Sequence, residues 1–206
     1  MKLIGTLLIV AGLSIIFLIF GPVLIAELQY WSNKWGGVEY SLDAHPQFPQ
    51  SGLRPIAPVD TEFGIVITKI NLNAEIFPEI DSSNPEKYLP VLRKGVAHAK
   101  GSAYPDEEEG NVFLFGHSTD TFYNIGRYNA VFFLINKLQP GDEIDIFYRD
   151  KRYKYEAIEG QVVEPDEIGS YLEKYKGQKT LTLQTCYPPG TTLKRLLVIA
   201  KEIKKQ

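Results

Sequence analysis

The chain has 206 residues, 44% of them hydrophobic and 23% charged, with a formal net charge of −3. This is the composition of a globular protein with a proper core, and so slight a charge, with Lys and Arg scattered, argues against a nucleic-acid partner. One cysteine excludes an intramolecular disulfide and, with only three histidines, the usual Cys-rich zinc sites.

From Leu3 to Ala26 there is no charged residue, and Leu, Ile, Val and Phe dominate. Such a run, at about 1.5 Å per residue, extends roughly 36 Å and is long enough for a ~30 Å hydrocarbon core. It is too long for the apolar core of a secretory signal, and V-L-I-A-E lacks a small-x-small cleavage pattern. The expectation is an uncleaved single-pass anchor over 3–26, with 1–2 inside the cell and the remainder outside. Tyr30, Trp31 and Trp35 follow where interfacial aromatics would sit. Residues 27–60 carry Gly36, Gly37, Pro46, Pro49, Gly52, Pro55 and Pro58 without an apolar period, which predicts an extended spacer. His45 within it reads as a solvated linker residue.

The folded domain is expected over 61–206 and is strand-rich. Strands are predicted at 63–70, 73–80, 111–117, 143–148, 152–159, 161–164, 180–185 and 194–200. Helices are expected only at about 85–93, 129–137 and 166–174. Seven or eight short strands predict a mainly β fold, closed or nearly closed into a barrel.

Cys186 ends the strand T-L-Q-T-C (182–186) and precedes Y-P-P-G. A solitary cysteine is either a small core hydrophobe or a nucleophile. A nucleophilic thiol needs a proton acceptor, most often His, and acyl transfer needs a donor for the charge developing on the carbonyl oxygen. His117 ends N-V-F-L-F-G-H, and Arg195 enters the last strand, K-R-L-L-V-I-A (194–200). If the strands at 180–185 and 194–200 are neighbours, Cys186 faces Arg195. Each residue also has a plain reading, His117 as a structural strand end and Arg195 as a solvated charge.

T-L-Q-T-C (182–186), F-G-H-S (115–118) and K-R-L-L-V-I-A (194–200) together resemble the signature segments of sortases, the cysteine transpeptidases of bacterial surfaces, and occur in the family's order. The resemblance covers about 62–203. It implies an eight-stranded sortase barrel with Cys186 as nucleophile, His117 as general acid and Arg195 as the group binding substrate and oxyanion. Thr185 would help to position the substrate. The implied substrates are surface proteins bearing an L-P-x-T-G-like C-terminal sorting signal. The implied acceptor is an amine on a peptidoglycan precursor or a pilin lysine, and no cofactor is implied. The short segment between Cys186 and Arg195 departs from class B, and G-V-A-H (95–98) and G-H-S-T-D (116–120) resemble class D and class E members more than class A.

Asp120 either orients His117, contacts substrate or is an exposed loop acid. His98 either lines the groove or packs. Tyr187, with Pro188 and Pro189, shapes the rim beside the thiol. The run D-E-E-E (106–109) resembles the calcium-binding loop of some class A members, yet consecutive acids rarely all reach one ion, and no metal is predicted. Two rivals remain: a membrane-tethered binding barrel with an inert cysteine, and a sortase-fold peptidase that mainly hydrolyses.

Overall fold

A computed structural model of the chain describes residues 2–42, 53–118 and 131–203. His45 and Asp120 therefore lie outside the described residues. The N-terminal helix α1 spans Lys2–Trp35. It ends where Gly36 and Gly37 (φ +63°) let the chain turn back, with Gly36 N–H donating to Ser32 O and Val38 N–H to Asn33 O. Two short strands, β1 (Glu39–Ser41) and β2 (Leu53–Pro55), then pair in parallel.

Two expectations change here. Among the described residues no helix is long and apolar enough to cross a membrane. The single-pass anchor over 3–26, and the outside placement of the domain that followed from it, are corrected on that finding. Nor does the helix give way to a spacer at residue 27. Its last turns lie on the barrel, where Glu27 pairs with Lys137 Nζ at 3.1 Å and Tyr30 packs against the core. Lys137 also stands 5.7 Å from the Tyr30 ring centre and 5.6 Å from that of Trp31, so an amine and two aromatic faces hold the helix to the 3₁₀ turn Phe133–Lys137.

The remaining strands are β3 (Phe63–Ile67), β4 (Leu72–Ile80), β5 (Val96–Ala99), β6 (Gly110–Phe115), β7 (Glu143–Tyr148), β8 (Lys151–Val163), β9 (Lys179–Tyr187) and β10 (Lys194–Glu202). They close into a barrel in the order β10-β8-β7-β3-β4-β5-β6-β9, the eight-stranded mainly β architecture expected. Most neighbours run antiparallel, but β4–β5 and β6–β9 are parallel. Alternation sends Ile65, Ile67, Val112, Leu114, Ile144, Ile146, Leu181, Leu183, Leu196 and Val198 into one interior cluster.

Helices cover two outer faces. On one side α2 (Pro85–Leu92) begins at Asn84, whose side chain accepts from Glu86 N–H at 3.0 Å, and Pro85 occupies the first helical turn. Its Leu92 packs with Ala97 of β5 and Phe115 of β6. On the other side α3 (Ile168–Leu172) and its flanking 3₁₀ turns cover Val163, Leu197 and Ile199. Where 129–137 reads as a helix, the described part is the shorter 3₁₀ turn Phe133–Lys137.

Candidate active site

β9 and β10 position the first two site residues. Leu181 and Leu183 face the barrel interior, so Thr180, Thr182, Gln184 and Cys186 alternate to the outer face. On β10, Leu196 and Val198 face inward and Arg195, Leu197 and Ile199 outward. Arg195 is the direct cross-strand partner of Cys186, and directly opposed residues in an antiparallel pair share a face.

β6 lies on the other flank of β9, in parallel, with Leu114 opposite Leu183 and Phe115 opposite Gln184. The pairing runs past the end of β6, because Gly116 N–H donates to Gln184 O at 3.1 Å. Two residues on from that matched pair stand His117 and Cys186. Adjacent strands lie about 4.8 Å apart, so His117, Cys186 and Arg195 form one row across β6, β9 and β10. Cys186 and His117 are both half-buried. The row lies between the two helix-covered patches, with Phe115 marking the α2 side and Leu197 the α3 side.

The surroundings fix this end of β6 closely. A Cβ on Gly116 would lie 2.9 Å from Phe132 Cδ2 and 3.0 Å from Val131 Cγ1, so a glycine is required for the two segments to approach. Phe132 N–H in turn donates to His117 O at 3.0 Å. Arg195 Nη1 donates to Thr192 O (2.9 Å) and Lys194 O (3.0 Å), which ties the guanidinium to the loop between β9 and β10. Lys194 pairs with Glu164 at 3.0 Å and holds that loop to the end of β8.

Three other predicted residues do not join the row. Thr185 is 3% exposed on the inward face, and its hydroxyl donates to Gly116 O at 2.9 Å. It therefore grips the strand end that carries His117 and offers no surface to a substrate. His98 is fully buried inside the barrel, on the opposite face of the sheet from Cys186. Its ring packs 4.6 Å from Tyr104 and 5.5 Å from Phe63, and Nε2 lies 3.0 Å from Ala103 O, so it packs and does not line a groove. Only an Nε2–H can donate to that carbonyl, which leaves Nδ1 a buried acceptor without a partner among the described residues. Desolvation holds this imidazole below its ordinary pKa, against the Ala103 hydrogen bond and the charges of Glu79 and Glu107. Tyr187 packs against the interior cluster at the barrel's end.

The acids of 106–109 are partly engaged elsewhere: Asp106 pairs with Arg149 at 3.0 Å, and Glu107 accepts from Tyr104 N–H at 2.8 Å. An open polar cleft of about 850 Å³, lined by Ser102, Glu107, Glu109, Asn111 and Phe113 among others, lies toward the opposite end of β6 from His117. Sequence reasoning misses Asn111, whose side chain bonds two threonines of β9, because its partners stand 69 and 71 residues away.

Known proteins share this fold. The sequence model of the Sortase domain matches residues 65–203. Sortase D of Bacillus subtilis is 29% identical over 140 residues, covering 66% of this chain and 61% of its own length. Sortase SrtE1 of Streptomyces coelicolor is 30% identical over 112 residues, covering 51% of this chain and 30% of its own. This chain thus spans less than two thirds of either relative. Among solved structures, Sortase E1 of Streptomyces coelicolor with a tripeptide in its active site superimposes with a TM-score of 0.56 at 29% identity, covering 72% of this chain and 91% of that one. Sortase C-1 of Actinomyces oris gives 0.56 at 27%, covering 71% and 76%. The closed eight-stranded barrel, the row at the ends of β6, β9 and β10, and a domain match over nearly all of that barrel lead to one statement: this chain belongs to the sortase family.

Proposed function

We propose that the protein is a cysteine transpeptidase that cuts a C-terminal sorting signal of the L-P-x-T-G type and passes the acyl group to an amine. The observation that carries this reading is the register: Cys186 is paired with Arg195 and level with His117. In the first half-reaction the Cys186 thiolate attacks the scissile carbonyl carbon, and the oxygen takes up negative charge beside the Arg195 guanidinium. The C–N bond then breaks, the leaving amine takes a proton from His117, and an acyl thioester remains on Sγ. In the second half-reaction an incoming amine attacks the thioester, His117 recovers a proton, and the C–S bond breaks. The permanent charge of Arg195 suits it to the oxyanion and excludes it as the base. Surface proteins with sorting signals are the proposed substrates, and a peptidoglycan precursor or a pilin lysine supplies the proposed amine.

The test incubates the full chain with a set of L-P-x-T-G variant peptides and looks by mass spectrometry for an acyl adduct on Cys186. An adduct that disappears in Cys186→Ala and is discharged faster by added amine than by water supports transpeptidation. Discharge at the same rate with and without amine would identify a hydrolase on the same fold. No adduct with any peptide overturns the reading.

A further inference from the structure

The row exists only while β6 and β9 keep one alignment, and the apolar pattern does not by itself choose it. A slip of one residue would turn the interior side chains outward and is forbidden by the core. A slip of two residues keeps every side chain on its own face, yet would carry Cys186 about 7 Å along His117's strand. Something specific to one register must tell these arrangements apart.

Asn111 does so. It stands on the outer face of β6, opposite Thr180 and two residues from the level of Thr182. Its Oδ1 accepts from both hydroxyls, at 3.1 Å from Thr180 Oγ1 and 2.9 Å from Thr182 Oγ1. Both threonines are fully buried, so neither hydroxyl has water as an alternative partner. A two-residue slip would leave at least one of these buried hydroxyls without its acceptor, and an unmade hydrogen bond at a buried donor is costly. We infer that Asn111, Thr180 and Thr182 form a polar register pin that aligns His117 with Cys186 across the parallel β6–β9 pair. Thr182, the first threonine of T-L-Q-T-C, thereby acquires a positioning role on β9, four residues before Cys186, and its partner Asn111 stands on β6 six residues before His117.

This inference rests on the transpeptidase reading for its kinetic arm only. Thr182→Val removes the hydroxyl at nearly constant shape, and Thr182→Ser keeps it. The expected result is a kcat lowered about tenfold in Thr182→Val and in Asn111→Leu, with KM for the peptide within about twofold, because misalignment affects the reacting atoms more than binding. Thr182→Ser restores most of kcat, and the double variant is no worse than the poorer single one. The second arm needs no turnover. In His117→Cys, mild oxidation should close a disulfide with Cys186, since side chains level on neighbouring strands come within bridging reach. Adding Asn111→Leu should lower the yield of that bridge severalfold. A Thr182→Val enzyme with wild-type kcat, or a bridge yield unchanged by Asn111→Leu, overturns the pin. A wild-type chain that forms no acyl adduct, in which the bridge yield still falls, overturns the transpeptidase reading and leaves the pin standing.

Discussion

Gly116 is where a single atom decides the geometry of the histidine. Its missing Cβ is what lets Val131 and Phe132 close on the end of β6. Gly116→Ala should cost about 1–3 kcal/mol in stability, the usual penalty for overpacking, read by thermal melting. Activity should fall further than the melt explains, because His117 is the next residue. Arg195→Ala is expected to reduce kcat about 100-fold, in the range for loss of one oxyanion donor, measured by single-turnover acylation. His98 supplies a separate pH dependence. Its neutral ring is the form the fold accepts, so between its folded value and the ordinary imidazole value of about 6.5 the unfolded chain binds more protons. The associated stability is fully present above about pH 6.5 and is lost as pH falls below it. Urea unfolding at pH 5.0 and 7.5 should show that loss, and His98→Gln, which keeps a donor for Ala103 but does not titrate, should lack it.

The elements differ in how openly the sequence displays them. β7 and β9 were readable because E-I-D-I and T-L-T-L-Q-T alternate, β10 because L-L-V-I-A is a short continuous apolar run bounded by charges, and α2 because Asn84 and Pro85 announce its start. β5 escapes a periodic reading since it has four residues and its inward polar residue, His98, breaks the apolar pattern. β8 reads as two strands divided at Gly160, whereas it is one strand through Val163: Gly160 lies opposite Val198 and the β10 ladder continues across it. The row itself was legible for a different reason, the likeness of three short segments to one family. The roles of Asn111 and of Thr185's bond to Gly116 were not, because both depend on partners about seventy residues distant, although the alternation of β9 already turns Thr185 inward. The docking of α1 was equally hidden, as nothing local marks Lys137 as the partner of Glu27. A double-mutant cycle on Glu27→Gln and Lys137→Ala should return a coupling of about 0.5–1 kcal/mol, as for a partly screened ion pair, in thermal melts at low salt.

Among the described residues the barrel is one closed sheet around one apolar interior, and the candidate row stands where a distant strand meets a local hairpin. Leu183 sits in that interior, three residues before Cys186 on β9, and is fully buried. Leu183→Ala should cost about 2–5 kcal/mol in chemical denaturation, without changing the peptide selectivity of whatever fraction stays folded. The tight turn between β7 and β8, where Arg149 and Asp150 both take positive φ, falls between the two halves of the row. His117 is carried by the chain before it, and Cys186 and Arg195 by the chain after it. A break engineered at that turn would put the proposed acid and nucleophile on separate polypeptides, and neither alone should acylate under the proposed mechanism. Mixing them would regenerate activity only as β7–β8 and β6–β9 re-pair, so that acyl transfer becomes a reporter for fragment reassembly.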